Sequence, residues 1–253
     1  METAQEAGAF ALSRFRDLDG LTIESKGHQD LVSDADRMTE ERVRAAIAQH
    51  FPEDGIVGEE YDRVLGTTGY DWVIDPIDGT ANFVRGIPHW CCVIACTYRG
   101  LPVVGAIHEP NVQETYSSAK GAGAHLNGAP MRVNRADALS AGSVAVGANG
   151  RSDTERAADL VREVLRPGGM FFRSASGALM LAYVASGRLL GYVEDKMNSW
   201  DCFAALLMIS EAGGQHGALD PETALTEGTR VVAGGPGIYP QLAEIADRVY
   251  GAA

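Results

Sequence analysis

The sequence has few basic residues for its length. Its 253 residues include 21 Lys and Arg against 34 Asp and Glu, which gives a net charge of −13. Because binding to a nucleic-acid backbone depends on clustered Lys and Arg, this balance argues against a nucleic-acid partner. It does not argue against small phosphorylated molecules, because a bound metal ion would invert the local electrostatic field.

Long apolar runs and a basic leader are also lacking. No stretch approaches eighteen consecutive apolar residues, and the chain begins with the acidic segment METAQE rather than a positively charged signal. The sequence therefore predicts no membrane partner and a cytoplasmic location. With 45% hydrophobic and 22% charged residues, the chain can bury a substantial core as one large domain or two intimate ones.

Cysteine and histidine patterns that mark metal or redox sites are lacking as well. The four cysteines form no Cys-x-x-Cys pair, and three of them lie in one apolar run at 91–98, so buried free thiols are expected. The six histidines show no His-Glu-x-x-His spacing. Glycines at 121–123 and 142–150 do not form a dinucleotide fingerprint, so turns and loops are predicted there.

What the sequence does contain is a pair of acids in the segment WVIDPIDGTANF at 72–83. Aromatic and β-branched residues favour a strand here, and Pro76 cannot donate to a ladder, so the strand is predicted to end near Asp75. Asp75 and Asp78 would then project from a rigid edge. Their oxygens suit Mg²⁺, and the carbonyl of Ile77 could serve as a further ligand.

A glycine and a threonine follow these acids directly. Gly79 allows close approach of the backbone, Thr80 supplies a hydroxyl, and a helix starting here would offer free N–H groups to an anion. The segment therefore fits a site for metal ions and phosphate. The residues at 75–79 fit an ordinary surface turn equally well when taken alone.

Two more acids occupy comparable positions elsewhere. Glu59 follows the short apolar run Ile56–Val57, which predicts an acid at the end of a strand. Asp201 lies in the first turn of a helix predicted to run from Ser199 to about Ala212. The alternative for Asp201 is a first-turn acid that complements the helix dipole. The acidic pair at 40–41 is interpreted as a solvated helix face.

The order and separation of three motifs resemble the inositol monophosphatase family. These motifs are Gly-Glu-Glu at 58–60, Asp-Pro-Ile-Asp-Gly-Thr at 75–80 and Trp-Asp at 200–201, with further matches at 30–36 and 211–214. The resemblance runs through nearly the whole chain. It implies a layered α-β-α-β-α sandwich of α+β or α/β class, like that of inositol monophosphatase and fructose-1,6-bisphosphatase. It also implies a homodimer with two or three Mg²⁺ ions per site.

The resemblance also implies a role for each residue of the motifs. One Mg²⁺ would be held by Glu59, Asp75 and the Ile77 carbonyl, and a second by Asp75, Asp78 and Asp201, so that Asp75 bridges them.

The water and the substrate would be held by neighbouring residues. Glu59 with Thr80 would orient the attacking water, and the Gly79–Thr80 backbone would bind phosphate oxygens. Asp36 would support this network, and Glu194 would contact the hydroxyls of the substrate.

The implied reaction is Mg²⁺-dependent hydrolysis of a phosphate monoester by direct in-line attack of metal-activated water. Glu194 favours a polyol phosphate, with inositol 1-phosphate as the best candidate. Histidinol phosphate is the main alternative, because its ammonium could pair with Glu194 or Asp195. Fructose 1,6-bisphosphate and adenosine 3′,5′-bisphosphate remain open, since Ala81 replaces a threonine usual in the animal enzymes. A regulatory binding protein with an idle site is the alternative of another class.

Helix and strand signals alternate along the chain. Helices are predicted at 4–18, 34–51, 154–165, 177–186, 199–212 and 239–249, and strands at 70–75, 91–98, 103–108, 114–119, 143–146, 170–173, 189–193 and 229–233. Short connections between the strands at 70–119 favour antiparallel pairing, and Asn127–Gly128 predicts a tight hairpin turn beyond them. A change of rhythm at 135–142 predicts an N-terminal α+β half at 1–136 and a C-terminal α/β half at 137–253. The site is expected between the halves, since Asp201 lies in the second and the other acids in the first.

Overall fold

The structure is a computed structural model that describes residues 1–27, 30–150 and 152–252. Its helices are α1 (Glu2–Phe15), α2 (Asp34–His50), α3 (Thr80–Phe83), α4 (Thr154–Leu165), α5 (Gly177–Ala185), α6 (Ser199–Glu211), α7 (Ala224–Glu227) and α8 (Tyr239–Tyr250). Its strands are β1 (Ile23–Gly27), β2 (Asp30–Ser33), β3 (Gly55–Gly58), β4 (Tyr70–Asp78), β5 (Cys91–Tyr98), β6 (Leu101–Glu109), β7 (Glu114–Ala119), β8 (Ala124–Leu126), β9 (Ala129–Pro130), β10 (Ser143–Val146), β11 (Met170–Phe172), β12 (Gly191–Met197), β13 (Gln215–His216) and β14 (Thr229–Gly234).

The first half of the chain builds a seven-stranded sheet. Its strands follow chain order from β3 to β9. Strand β3 runs parallel to β4, and every later pair is antiparallel, as the short connections predicted. The predicted hairpin turn at Asn127–Gly128 joins β8 to β9 with both residues at positive φ, which is the geometry that two-residue hairpin loops favour.

The second half builds a five-stranded sheet in the order β11-β10-β12-β14-β13. Strand β10 runs parallel to both of its neighbours, whereas β14 is antiparallel to β12 and β13. The parallel pairs require crossover connections, and the helices α4 and α5 lie in those connections.

The helices and sheets stack in five layers. Helices α1 and α2 cover one face of the seven-stranded sheet, and α5 and α6 cover its other face. Helices α5 and α6 also contact the five-stranded sheet, whose outer face is covered by α4 and α8. The order is therefore α-β-α-β-α, which confirms the predicted sandwich.

Burial explains why the central helices have so little polar surface. Within α5 and α6, residues 178–182 and 202–209 are all buried, because both helices lie between two sheets. By contrast, α4 buries only Leu160 and Val164, on the one face that packs against the sheet. All four cysteines are buried free thiols, as predicted.

One prediction about the surface was wrong. Glu40 was interpreted as part of a solvated helix face, but its side chain is fully buried and bonded to Arg44 and to the backbone of Glu60. Its neighbour Glu41 is exposed, as expected. Spacing along α2 alone could not separate the two, because the segment that covers Glu40 comes from a loop twenty residues later.

Among the helices in the described ranges, none combines the length and the hydrophobicity that crossing a membrane requires.

Candidate active site between the two sheets

Three of the predicted acids meet where the end of β4 approaches the first turn of α6. Carboxylate oxygens of Asp75, Asp78 and Asp201 all lie within 4.8 Å of one another. Asp75 and Asp78 are 1% and 7% exposed, whereas Asp201 is partly exposed. Strand β4 supplies the first two acids, and the first turn of α6 supplies the third. A buried group of hard oxygen donors is the ligand set that Mg²⁺ prefers.

A bulge in β4 explains how two acids three residues apart reach one site. Along the paired strand β5, Asp75 lies opposite Val93 and Asp78 opposite Cys91, so β4 contains one extra residue. Side chains three apart in a regular strand point to opposite faces, and the extra residue removes that separation. The predicted end of the strand near Asp75 was therefore wrong, because Pro76 lies in the bulge, where a missing N–H group is tolerated.

Hydrogen bonds from the second half hold Asp78. Its carboxylate accepts from the Ser176 hydroxyl, from Gly177 N at 3.2 Å and from Ala178 N at 2.8 Å. It thus caps the N-terminus of α5 and joins the two halves of the chain. These partners of Asp78 are not predicted from the sequence. A serine before an apolar helix signals a helix start, but nothing in the sequence links it to an acid almost a hundred residues earlier.

Asp201 caps helix α6 and also belongs, with Asp75 and Asp78, to the cluster called here the acid group. Its Oδ2 accepts from Asn198 N at 3.2 Å and from Asn198 Nδ2 at 3.3 Å, which forms a capping box at the start of α6. The alternative interpretation of Asp201 as a first-turn acid is therefore true of this residue. It does not compete with the functional interpretation, because the same carboxylate faces Asp75 and Asp78.

Glu59 lies beside the group of three. Strand β3 is parallel to β4 and pairs Gly58 with Ile74, so Glu59 and Asp75 are the next residues on two neighbouring strands. Glu59 N donates to the carbonyl of Ile74 at 3.3 Å. Its carboxylate is close enough to Asp75 to raise the pKa of that acid.

Asp36 and Thr80 form a second, connected pair. Asp36 is fully buried, and its Oδ2 accepts from Ser33 N at 2.8 Å and from Ser33 Oγ at 2.6 Å. Its other oxygen accepts from Thr80 Oγ1 at 3.1 Å. The same hydroxyl lies 3.0 Å from the carbonyl of Ile77. Asp36 in α2 is thus linked directly to the turn after β4.

The turn itself depends on a glycine. Gly79 has a φ of 98°, and an added Cβ would lie 3.2 Å from both the His89 carbonyl and the Ser176 side chain. A side chain here would be strained and crowded. The short helix α3 begins at Thr80, so its first N–H groups have no partner within the helix.

The acid group concentrates negative charge, which a cation would neutralise. Burial raises the pKa of Asp75 well above its ordinary value, and the charge of Glu59 is the next largest cause. Burial, followed by the charge of Asp78, raises the pKa of Asp201 to about 8. None of the ion pairs formed by the described residues includes these carboxylates. A divalent cation would supply the missing charge, so the residues present fit a metal centre.

Glu194 lies in β12, outside the group of three, and is 6% exposed. The Tyr192 hydroxyl donates to one of its oxygens, and Asn149 Nδ2 donates to the other at 2.9 Å. Its charge contributes to the raised pKa of Asp201, so it borders the acid group. Asp195, the adjacent acid, is instead paired with Arg230 at 3.1 Å.

A model of the inositol monophosphatase family matches residues 1–249. The chain belongs to the inositol monophosphatase family. Members of this family are phosphatases that hydrolyse phosphate monoesters, and they depend on metal ions, with which the buried acid group agrees.

Individual relatives agree with this assignment. The chain is 34% identical to an inositol-1-monophosphatase of Rhizobium meliloti over 96% of this chain and 92% of that protein. It is 35% identical to a histidinol-phosphatase of Chlorobaculum parvum over 85% of this chain and 82% of that protein. The crystal structure of the extragenic suppressor protein suhB from Bartonella henselae has a TM-score of 0.91 at 30% identity, covering 96% and 95% of the two chains.

Proposed function

We propose that this member of the family is a Mg²⁺-dependent phosphomonoesterase that acts on a small polyol phosphate. The observation that carries the proposal is the group Asp75, Asp78 and Asp201, whose carboxylates lie within 4.8 Å of one another without a cationic partner among the described residues. Glu59, Asp75 and the Ile77 carbonyl would hold one ion. Asp75, Asp78 and Asp201 would hold a second, and a third would bind more weakly.

When bound, the ions would supply positive charge to both the attacking and the leaving oxygen of an in-line displacement. The protein would hold the carboxylates that bind these ions in fixed positions. Asp78 is fixed by three hydrogen bonds from Ser176–Ala178, and Asp201 is fixed by its capping box. Positioning of this kind is a large part of catalysis for phosphate esters, whose uncatalysed hydrolysis is among the slowest reactions known.

The hydroxyl of Thr80 has one proton and two acceptors within reach. Donation to Asp36 leaves the Ile77 carbonyl available as a metal ligand and leaves the lone pairs of Thr80 available to accept from a water molecule. Glu59 and Thr80 would together orient that water for attack. The backbone of Gly79 and Thr80 would bind the phosphate oxygens.

Inositol 1-phosphate is the substrate that the chemistry of Glu194 favours. Tyr192 and Asn149 hold the two oxygens of Glu194 in place, so a fixed acceptor lies near Asp201. An ionised carboxylate only accepts hydrogen bonds, so it favours a leaving alcohol that carries further hydroxyl donors. The relative named inositol-1-monophosphatase supports the same choice.

Histidinol phosphate is the second candidate, supported by the relative named histidinol-phosphatase. Its ammonium would pair with Glu194. Asp195 is the weaker partner, because Arg230 already neutralises it. Fructose 1,6-bisphosphate and adenosine 3′,5′-bisphosphate are less favoured. A regulatory role without catalysis is disfavoured by the complete set of acids.

We infer a homodimer in the cytoplasm and a division of the chain at 136/137, with the site between the halves. The separate seven-stranded and five-stranded sheets support that division. Light scattering of the purified protein would test the dimer, and a monomeric mass would contradict it.

The substrate is tested by comparing kcat/KM for the four esters named above at saturating Mg²⁺, with Asp75→Asn as the inactive control. Inositol 1-phosphate is expected to give the highest value. A clear preference for histidinol phosphate would move the assignment to the second candidate. No phosphate release from any ester, together with a protein partner bound in one-to-one ratio, would support the regulatory role.

A further inference from the structure

The metal ligand Glu59 begins a segment without regular structure. Strand β3 ends at Gly58, and β4 begins only at Tyr70. Glu59 N bonds to the neighbouring strand, but the next residues leave the sheet. A carboxylate at such a position needs contacts beyond the strand to keep a fixed orientation.

Helix α2 supplies those contacts through an ion pair between the buried Glu40 and the partly buried Arg44. Glu40 is fully buried, and its Oε2 accepts from Glu60 N at 2.9 Å. Its Oε1 accepts from Arg44 Nε at 2.7 Å, and Arg44 in turn donates to the Tyr61 carbonyl at 3.0 Å. The two residues that follow Glu59 are thus bonded through their backbones to one turn of α2.

Gly58 shows how closely this pair approaches the chain. A Cβ added at Gly58 would lie 2.0 Å from Glu40 Oε1 and 2.9 Å from an Arg44 nitrogen. Any side chain at 58 would therefore displace the carboxylate. The glycine before Glu59 makes room for the ion pair that holds the residues after it.

The same helix also positions the catalytic threonine. Asp36, one turn before Glu40, bonds to Thr80 at 3.1 Å. Helix α2 therefore fixes two separate loops relative to each other, one after β3 and one after β4. A buried charge is retained at a cost unless it is paired and hydrogen-bonded, and Glu40 satisfies both conditions.

We propose that Glu40 and Arg44 are positioning residues for Glu59 and that they set the affinity of the site for its metal ion. This inference rests on the proposed function, since it assumes that Glu59 is a metal ligand. Neither residue would touch substrate or metal. Their effect would pass through the backbone of Glu60 and Tyr61 to the carboxylate of Glu59.

The test is Mn²⁺ binding measured by electron paramagnetic resonance in the absence of substrate, on the full chain after removal of metal. Glu40→Gln keeps the shape of the side chain and removes its charge. It is expected to weaken Mn²⁺ binding about tenfold, the loss that corresponds to about 1.4 kcal/mol. The Mg²⁺ concentration for half-maximal activity should rise in parallel, whereas kcat at saturating Mg²⁺ should change less than about threefold, because the reacting groups remain intact.

Glu41→Gln is the matched control. Glu41 is the next residue of the same helix and bonds to the Tyr61 hydroxyl at 2.6 Å rather than to the backbone. It should bind Mn²⁺ as the wild type does. An equal loss in Glu41→Gln would overturn the proposal, because any contact with this segment would then have the same effect.

Arg44→Lys is the second variant, used if Glu40→Gln does not fold. Lysine keeps the charge beside Glu40 but cannot donate to Glu40 and to the Tyr61 carbonyl with the spread of a guanidinium. It should weaken Mn²⁺ binding less than Glu40→Gln does. Binding equal to that of the wild type in every folded variant of the pair would overturn the proposal.

A double-mutant cycle separates failure of this inference from failure of the proposed function. If Glu40 acts through Glu59, Glu40→Gln should weaken binding no further in a Glu59→Gln background. Fully additive losses would refute positioning of Glu59. If Glu59→Gln alone leaves Mn²⁺ affinity unchanged, the metal assignment itself is wrong, and the inference is overturned with it.

Discussion

Replacing Asp75 by Asn should remove activity and at the same time stabilise the protein in the absence of metal. Asp75 is buried against Asp78 and Asp201, with carboxylate oxygens within 4.8 Å. A pair of unit charges at that distance repels by about 3 kcal/mol at an effective dielectric constant of 20. The raised pKa values mean that protons already neutralise part of this charge, so a gain of about 1–2 kcal/mol is expected.

The assay is thermal melting in EDTA and in Mg²⁺. In EDTA, Asp75→Asn should melt about 3–6 °C above the wild type, because about 1 kcal/mol shifts Tm by about 2–4 °C in a chain of this size. Saturating Mg²⁺ should raise the Tm of the wild type by several degrees, since an ion at 100 times its Kd stabilises by about 2.7 kcal/mol. It should leave the variant nearly unchanged, so the order of the two melting temperatures should reverse.

Activity completes this prediction. Because the Asp75 carboxylate would bind both ions, kcat/KM of Asp75→Asn for phosphate release should fall by at least about a thousandfold. This is a loss of about 4 kcal/mol of transition-state stabilisation. Asp71→Asn is the control, since Asp71 lies in the same strand but pairs with Arg63 at the surface. It should keep both activity and the Mg²⁺ shift. A lower melting temperature of Asp75→Asn in EDTA would contradict repulsion among these acids, and a tenth of wild-type activity in saturating Mg²⁺ would contradict the binding of two ions by Asp75.

Three residues around Asp75 and Asp78 give further predictions, namely Asp201, Ser176 and Glu194. Below a pKa of about 8 folded Asp201 binds a proton that the unfolded chain releases near pH 4, so metal-free wild type should lose stability as the pH rises from 4 to 8. Asp201→Asn should show a smaller pH dependence of Tm in EDTA, and an unchanged one would contradict the assignment. Ser176→Ala should cost about 1–2 kcal/mol in urea unfolding, because Asp78 loses a buried donor, and no change would show that this bond is unimportant. Glu194→Gln should lower kcat/KM for inositol 1-phosphate about tenfold but leave kcat/KM for p-nitrophenyl phosphate unchanged. Equal losses for the two esters would show that Glu194 acts on the phosphate and not on the leaving alcohol.

Local patterns predicted most of the fold. The apolar runs at 91–98 and 143–146 and the helices with clear start signals, such as α4 after Asp153, appear where the sequence places them. The pairing of short neighbouring strands followed from short connections. The strands β1, β2 and β13 were not predicted, because they are short pieces without a clear alternation of apolar residues.

The acids of the candidate site were predicted from the sequence, but most of the contacts that hold them in place were not. Asp78 ends β4 and Glu59 directly follows β3, so local patterns signal both acids, and Asp75 was found because it lies in the same short motif as Asp78. The bulge at Pro76 depends on pairing with β5, and the bonds from Ser176 to Asp78 connect distant segments. The burial of Glu40 depends on a loop that folds over α2. Such features are set by tertiary contacts, which residue patterns along one element do not encode.

The most direct test of the metal centre is a crystal of the protein soaked in Mn²⁺ and measured at a wavelength where manganese scatters anomalously. Anomalous peaks are expected within coordination distance of Asp75, with at least one also touching Asp78 and Asp201. Peaks confined to other parts of the surface, with none among these carboxylates, would contradict the assignment of these acids as metal ligands.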